Sequence, residues 1–332
     1  MTGPALGNQD ETRGFYVPHK AFEFTAFNTI NTVVMYGEEA AGLEGGKAAE
    51  ENAGRGFLAV QTIIDAVQAA AARYEQLFSH TDPHSTLSQF NRMGGKPEDL
   101  DPELGELIDL ALAYSTATEG AFDPAYDCSK ASAFLPVTSL GGIAKGYIAD
   151  ALCDLLKRHG VEHGFVNLGG NVKVFGGKPL SGATSPDGKL PGGAFFANEG
   201  EDGVQPFTIG LRVPKKFSFG EDSFATVQLA EGAVVTSGIY ERGTRAPDGT
   251  WLHHIIDPHT GRSAETDLVS ASVICDSALE ADAVATALIV MGLKRAQEFI
   301  EQAPSCEAVF VTNDGTVVPT SNMGSKVPFT LL

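Results

Sequence analysis

The sequence contains few of the signals that mark a membrane, extracellular or zinc-binding protein. Only four of its 332 residues are cysteine, and none form a Cys-x-x-Cys pair, so we expect reduced, mostly buried thiols. No stretch approaches the roughly 18 to 20 apolar residues of a membrane span. The polar residues 1–20 lack the apolar core of a signal peptide. The sequence therefore predicts a cytoplasmic protein, although an exported protein trimmed at its N-terminus would look the same.

Basic residues are also scarce. Lysine and arginine total 23 against 42 aspartate and glutamate residues, which gives a formal net charge of −19. Such a field repels phosphate backbones, so nucleic acid is not an expected partner. Any ligand that carries phosphate would need a local cation or metal ion to offset this charge.

Two common catalytic or cofactor motifs are absent. The glycine pair Gly169–Gly170 follows a predicted strand but precedes another strand, so it is not the Gly-x-Gly-x-x-Gly turn of a dinucleotide-binding fold. No Gly-x-Ser-x-Gly elbow is present, which argues against a serine hydrolase.

The sequence contains a mixture of helical and strand patterns, and 43% of its residues are hydrophobic. A strand or hairpin is predicted at 22–36, followed by a loop at 38–54. Helices are predicted at 55–78, from the Asp101–Pro102 entry to residue 112, at 147–156 and at 277–291. Strands are predicted at 165–168, 172–175, 207–213, 223–229, 270–275 and 308–311. Residues 176–205, rich in glycine, proline, serine and aspartate, predict a mobile insertion.

Residues 233–262 hold the densest group of reactive side chains. Two short apolar runs flank a turn at residues 247–249, and polar groups beside such turns often form sites. Because successive strand residues point to opposite faces, His253 and His254 cannot both share a site with Asp257. Spacing alone favours a solvent-facing or hydrogen-bonded histidine over a catalytic one.

Asp282 and Thr286 lie four residues apart on a predicted helix rich in alanine. They therefore share one face, which alanine leaves open to close approach by a ligand or another backbone. Their oxygens suit a hard cation. The alternative is a polar stripe towards solvent, with Thr286 bonded back to a backbone carbonyl, and the helix alone does not decide between the two.

The glycine pair Gly141–Gly142 precedes another predicted helix, close to Lys145. Free backbone N–H groups at a helix start can bind an anion, and the lysine adds positive charge. The same glycines can instead allow close packing.

Taken together, the motifs resemble those of the FAD:protein FMN transferase (ApbE-like) family. The resemblance runs from about Phe24 to Val311 and rests on motifs in the family order: Ser85–Asn91, Gly120–Pro124, Leu140–Gly146, Val166–Gly170, Thr236–Gly238 with His254–Gly261, and Asp282 with Thr286.

The resemblance implies an α+β fold of two pseudo-related subdomains, with helices packed on antiparallel sheets and FAD in the cleft between them. Residues 1–20 would be a polar tail and residues 21–332 the flavin transferase domain. It also implies Mg²⁺-dependent transfer of FMN from FAD to a threonine or serine hydroxyl of a target flavoprotein, with release of AMP. The alternatives are a Mg²⁺-dependent FAD pyrophosphatase and a non-catalytic flavin-binding protein.

The resemblance also assigns roles to residues of this chain. Mg²⁺ would be bound by Asp282, Thr286 and the backbone oxygen of Gly142. His254 would be the general base, with Asp257 as a second candidate. The FAD site would include Phe27, Thr81, Ala121, Phe122, Asp123, Ser139, Lys145, Thr236, Ser237 and Ile256.

Three of these positions depart from the family pattern. Phe27-Asn28-Thr29 replaces a frequent Met-Gly-Thr, Thr81 replaces an aromatic residue that packs on the flavin, and Ser139 replaces an aspartate. These departures affect the expected flavin affinity and pocket polarity, and leave the proposed metal ligands unchanged.

Overall fold

A computed structural model describes residues 19–37, 49–93, 100–125, 138–179, 204–214, 222–240, 243–245, 249, 251–303 and 305–332. The helices are α1 (Ala49–Phe78), α2 (Thr86–Arg92), α3 (Pro102–Ala117), α4 (Ala144–Arg158) and α5 (Ala278–Glu301). The strands are β1 (His19–Ala26), β2 (Thr29–Tyr36), β3 (His163–Leu168), β4 (Asn171–Phe175), β5 (Lys178–Pro179), β6 (Val204–Gln205), β7 (Phe207–Arg212), β8 (Ser223–Leu229), β9 (Gly232–Gly238), β10 (Gly243–Arg245), β11 (Trp251–His253), β12 (Ile256–Asp257), β13 (Arg262–Ser263), β14 (Leu268–Cys275), β15 (Cys306–Thr312), β16 (Val317–Pro319) and β17 (Phe329–Leu331).

An antiparallel sheet of eight strands forms the centre, in the order β1-β2-β3-β4-β9-β14-β15-β16. The pairing of β4 with β9 joins the two halves of the chain, so both halves contribute to one continuous sheet. The α+β class expected from the sequence is confirmed.

The two faces of this sheet are covered differently. On one face, apolar side chains of β2 and β3 pack with α1, α3, α4 and α5 in the largest core cluster. On the other face, β4, β9, β14 and β15 pack against a small sheet in the order β17-β8-β7. α4 and α5 both lie on the face that is covered by helices, and the proposed metal residues lie where these two helices begin.

Local sequence signals explain one helix boundary well and another poorly. Asp101 caps α3 by accepting from the backbone N–H of Glu103 at 3.0 Å, and Pro102 occupies the first helical position, as predicted. α1 begins at Ala49, so the loop predicted through residue 54 is wrong for its last six residues. The alanine and glutamate there are strong helix formers and outweigh the single glycine at position 54.

Two other predicted segments fall largely outside the described residues. Of the expected tail at 1–20, only His19 and Lys20 are described, and both already belong to β1. Of the insertion predicted at 176–205, residues 180–203 are not described. β5 and β6, on either side of that gap, pair with each other in an antiparallel ladder.

Cys275 and Cys306 form a disulfide between β14 and β15, with their Cα atoms 4.7 Å apart. The expectation that all cysteines are reduced is therefore wrong for this pair. The two residues are 31 positions apart in the chain and become direct partners through the antiparallel register. Cys153 remains a free, buried thiol, as expected.

Removing this disulfide is expected to lower the free energy of unfolding by about 2–4 kcal/mol, because the bond closes a loop in the unfolded chain. The test compares urea unfolding of the Cys275→Ala/Cys306→Ala variant with that of the wild type. Cys153→Ala is the matched control for removing a buried sulfur. Equal urea midpoints for the double variant and the wild type would contradict the prediction.

None of the helices in the described part of the chain is both long and apolar enough to cross a lipid bilayer.

Candidate functional site

The side chain of Asp150, on α4, caps the start of α5. Its carboxylate accepts hydrogen bonds from Ser277 Oγ at 2.8 Å and from the backbone N–H groups of Ala278 at 3.1 Å and Leu279 at 3.0 Å. These bonds satisfy donors that the first turn of a helix leaves unpaired. The cap holds the two helix starts together and so fixes the position of Asp282, one turn further along α5.

Asp282 is buried between α4 and α5, with 4% of its surface exposed. Its Oδ2 accepts a hydrogen bond from the backbone N–H of Gly146 at 3.0 Å. Burial raises the pKa of Asp282, although Lys145, Gly146 and Asn171 all favour its charged form. The carboxylate therefore points at the glycine-rich start of α4 and not at solvent.

Thr286 lies one turn beyond Asp282 and is half-buried. Its Oγ1 donates to the backbone carbonyl of Asp282 at 3.1 Å, which is the back-bond predicted for a polar stripe. The same oxygen lies 3.4 Å from Ser237 Oγ. Gly142 packs directly against it, because a Cβ added to Gly142 would lie 3.1 Å from Thr286 Oγ1. The polar face of α5 thus contacts protein rather than solvent.

These residues fit a hard cation by the chemistry of their donors. A buried carboxylate, a hydroxyl and a nearby glycine backbone offer oxygen and neither nitrogen nor sulfur, a set that suits Mg²⁺ and not zinc. Elsewhere in the described ranges, Cys275, Glu280 and Cys306 are the one group of three or more metal-binding side chains within ligand distance of one another. Their two sulfurs are joined as a disulfide, so they offer no thiolates.

Lys145 projects from the first turn of α4 towards a cleft. Its Nζ donates to Oδ1 of Asn171 at 3.2 Å, and Asn171, at the start of β4, is 1% exposed. A buried amide thus fixes the ammonium group of Lys145. This fixed positive charge offsets the acidity of the chain at the place where a phosphate-bearing ligand would need it.

The cleft beside Lys145 has a cavity volume of about 470 Å³. Its walls come from the β1–β2 turn, the end of α1, the loop after α1 and the start of α4. Three residues predicted to bind FAD line it, namely Phe27, Thr81 and Lys145, together with Gly141. Ser139 lies next to Gly141, whose added Cβ would be 3.7 Å from Ser139 Oγ.

The predicted flavin residues 121–123 occupy a turn after α3 that is largely buried. Ala121 and Phe122 are 1% and 4% exposed and belong to the main core. The Phe122 ring lies close to Gly142, since a Cβ there would be 3.2 Å from Phe122 Cε2. Asp123 accepts from the backbone N–H of Ala125 at 2.8 Å and so closes its own turn. The described contacts of this turn mainly support the glycine loop.

His253 and His254 differ in exposure: His253 ends β11, whereas His254 lies in the bend that follows it. His253 is buried and its Nε2 lies 3.0 Å from the carbonyl of Ala264, while His254 is exposed. Burial lowers the pKa of His253 despite opposing backbone hydrogen bonds from Ala264 and Ile255. Of the two histidines, His254 is the one that an incoming substrate can reach.

Acidification is expected to destabilise the protein partly through His253. Because its pKa is lowered on folding, His253 contributes stability that is fully present above its unfolded pKa of about 6.5 and is lost progressively as the pH falls from there through its lower folded pKa. As the pH is lowered from 8 to 5, the urea midpoint should therefore fall more steeply for the wild type than for His253→Gln. Parallel curves for the wild type and His253→Gln would contradict the prediction.

Asp257, the second candidate base, is bonded within its own turn. Its Oδ1 accepts from the backbone N–H of His259 at 2.9 Å and lies 3.1 Å from His259 Nδ1. Burial acts to raise the pKa of Asp257, but hydrogen bonds from His259 and Thr260 outweigh it, so the pKa is lowered. A lowered pKa makes this carboxylate a weaker proton acceptor than an ordinary carboxylate.

Thr236, Ser237 and Ile256 occupy three different environments. Ser237 faces α5 and contacts Thr286. Thr236 points to the opposite face of the sheet, where its Oγ1 lies 2.8 Å from Ser272 Oγ, so its side chain does not join the α5 residues. Ile256 is half-buried in β12 and pairs with Ser263.

Three positioning residues were not predicted from the sequence: Asp150, Asn171 and Gly146. Gly146 belongs to a quoted motif, and a glycine within the first turn of a helix is a signal of close packing that could have identified it. Asp150 and Asn171 act across more than 25 residues of chain, and no local pattern in the sequence identifies their partners.

Comparison with known proteins identifies a family. The model of the ApbE family matches residues 28–129 and 138–310. The FAD:protein FMN transferase of Treponema pallidum is 32% identical over 188 residues, which are 57% of this chain and 47% of that protein. The FAD:protein FMN transferase of Escherichia coli K12 is 31% identical over 165 residues, or 49% of this chain and 39% of that protein. The matched region thus spans about half the length of these curated relatives, or less.

Solved structures share the fold. The ApbE protein of Thermotoga maritima superposes with a TM-score of 0.69 at 24% identity, covering 92% of this chain and 97% of that one. The flavin transferase ApbE of Vibrio cholerae gives a TM-score of 0.66 at 20% identity, covering 92% and 98%. At these identities the likeness concerns the fold alone.

Proposed function

The chain belongs to the ApbE family, and on that premise we propose that it is an FAD:protein FMN transferase. The match of the family model to residues 28–129 and 138–310 supports this, as do the relatives that carry that name. The acceptor we propose is a threonine or serine hydroxyl of a flavoprotein. That hydroxyl oxygen would attack the phosphorus of the FMN half of FAD, the bond to the AMP oxygen would break, and AMP would leave.

The observation that carries the proposal is the burial of Asp282 against the glycine-rich start of α4. A carboxylate held between two helices against the backbone N–H of Gly146 is costly to bury unless a counter-charge lies near it. We propose Asp282, Thr286 and the Gly142 carbonyl as the residues that hold Mg²⁺. When bound, Mg²⁺ would neutralise charge on the diphosphate and on the departing AMP.

Other residues would bind FAD and move the proton. Lys145, fixed by Asn171, offers its ammonium group to the diphosphate from the wall of the cleft. His254 would accept the proton of the attacking hydroxyl, because it is exposed and because Asp257 is bonded to His259. Asp257 would hold the turn that follows His254.

The experiment combines the full chain with FAD, MgCl₂ and a threonine-containing acceptor domain prepared without flavin. Mass spectrometry should show covalent FMN on the acceptor and release of one AMP per modification. Omitting the acceptor tests the pyrophosphatase alternative, in which water replaces the hydroxyl and free FMN accumulates. Tight FAD binding without any product, in the presence of Mg²⁺, would contradict the transferase and support a flavin-binding protein.

The disulfide bears on where this reaction takes place. Disulfides persist mainly in oxidising compartments, and the Cys275–Cys306 bond argues against the cytoplasmic location expected from the sequence. We therefore propose that the protein works in an oxidising compartment. Alkylation of free thiols in intact cells, followed by mass analysis, tests this: a modified Cys275 would contradict it.

A further inference from the structure

The disulfide lies at a junction of three elements. Cys275 is the last residue of β14 and Cys306 is the first residue of β15, and the two are direct partners in the antiparallel register. Side chains of such partners extend from the same face of the sheet. Beyond β14 the chain turns into α5, which starts at Ala278 and places Glu280 in its first turn. Two sulfurs and a carboxylate therefore meet where two strands and a helix come together.

These three side chains form a compact group. Their sulfur and carboxylate oxygen atoms all lie within 4.8 Å of one another. Cys275 and Cys306 are each 3% exposed and belong to the apolar cluster between α5 and the sheet, whereas Glu280 is half-buried. The sulfurs are thus shielded from bulk water, and the carboxylate lies on the side of the group that is nearer to solvent.

Ser305 orients this carboxylate. Its Oγ donates to Glu280 Oε1 at 3.0 Å and lies 3.8 Å from Cys306 Sγ. The backbone of Glu280 is fixed as well, because its N–H donates to Ser277 Oγ at 3.3 Å. A carboxylate held by an outer hydrogen bond is typical of metal ligands in proteins. Since Ser305 is exposed, an ion can reach the group beside its hydroxyl.

We propose that Cys275, Cys306 and Glu280 form a binding site for Zn²⁺ when the disulfide is reduced. Thiolate and carboxylate ligands suit this ion, and three protein ligands with one water complete the four-coordinate shell that it prefers. The ligand set differs from the oxygen-only set at Asp282, so the two sites select different ions. The inference does not depend on the transferase activity, and either can fail without the other.

Redox chemistry opens and closes this site. A dithiol reductant passes two electrons and two protons to the Cys275–Cys306 bond and closes to its own disulfide, which leaves two thiols on the protein. Zn²⁺ then displaces the two thiol protons as it binds. In the reverse direction, oxidised glutathione takes two electrons from the sulfurs and two protons from water and splits into two molecules of glutathione. The disulfide forms again and Zn²⁺ is released.

Binding of Zn²⁺ to the full chain tests the site. After reduction with a dithiol, and removal of the reductant under nitrogen, the wild type should bind one Zn²⁺ more than the oxidised protein. The oxidised protein is the matched control, because it retains Asp282 and the other proposed Mg²⁺ ligands and lacks the two thiolates. Co²⁺ in place of Zn²⁺ should show sulfur-to-cobalt charge-transfer absorption in the reduced protein alone. Equal Zn²⁺ binding by the two forms, or Co²⁺ binding without that absorption, would overturn the proposal.

Two variants of the reduced protein separate the carboxylate from the other thiol of the chain. Glu280→Gln can still accept the hydrogen bond from Ser305 but has no charge, and it should weaken Zn²⁺ binding about 10- to 100-fold, since even the loss of an outer hydrogen-bond partner commonly costs that much. Cys153→Ala removes a buried thiol outside the group and should leave Zn²⁺ binding unchanged. Wild-type affinity in Glu280→Gln would refute the three-ligand site.

Thermal unfolding distinguishes the folded site from the thiols of an unfolded chain. An ion that binds the native state alone raises the unfolding midpoint. Zn²⁺ should therefore raise the midpoint of the reduced wild type by more than it raises that of the oxidised protein or of reduced Glu280→Gln. If the midpoint of the reduced wild type falls, or rises no more than that of the oxidised protein, the fold does not assemble this site.

Discussion

Replacing Asp282 with asparagine is expected to reduce FMN transfer by about 10²–10³-fold while the protein remains folded. Asparagine has the same size, and its Oδ1 can still accept the 3.0 Å hydrogen bond from the Gly146 backbone. What it removes is the negative charge that we propose holds Mg²⁺. The rate of acceptor modification at saturating FAD and Mg²⁺ is the measurement.

Two further measurements separate this effect from general damage. Calorimetric titration with Mg²⁺ should show loss of metal binding in Asp282→Asn, and thermal unfolding should show a midpoint no lower than that of the wild type, because a buried charge has been removed. Thr286→Ser keeps the hydroxyl oxygen and should retain most activity, whereas Thr286→Val should not. An Asp282→Asn variant with more than a tenth of wild-type activity would refute the proposed metal site.

Gly146→Ala is expected to destabilise the protein by about 4 kcal/mol or more, which places it among the most severe single substitutions. A Cβ at this position would lie 2.2 Å from the carbonyl oxygen of Ala278 and 2.7 Å from Cα of Leu279. These are backbone atoms of α5, and they cannot retreat without breaking the hydrogen bonds that Asp150 makes to the same two residues. Chemical denaturation measures the change.

Gly141, in the turn just before α4, supplies the control. A Cβ on Gly141 would meet its nearest atoms at 3.7 and 4.0 Å, both on side chains, so Gly141→Ala should change the free energy of unfolding by less than about 1 kcal/mol. If Gly146→Ala unfolds at nearly the same denaturant concentration as Gly141→Ala, α4 and α5 must be able to move apart, and the close approach described here is not needed for stability.

Features that depend on neighbouring residues could be predicted from the sequence. The Asp101–Pro102 start of α3 follows from capping chemistry, and the shared face of Asp282 and Thr286 follows from helical periodicity. In each case the physical cause lies within a few residues of the feature.

Features that depend on register or on contacts between distant elements could not be predicted. The pairing of Cys275 with Cys306 requires the alignment of β14 with β15, which no spacing in the sequence specifies. Asp257 was a candidate base because it follows His254, but its pKa depends on how the turn places His259 against it.

The cap that Asp150 places on α5 has a consequence for synthesis of the protein. Asp150 precedes Ala278 by 128 residues, so a ribosome that adds 5–20 residues per second needs roughly 6 to 26 seconds to produce the second helix after the first. During that interval the Asp150 carboxylate lacks its donors from Ser277, Ala278 and Leu279, and Asp282 does not yet exist. A nascent chain therefore cannot assemble the proposed metal site until translation has passed α5, which makes Mg²⁺ binding a late reporter of completed folding.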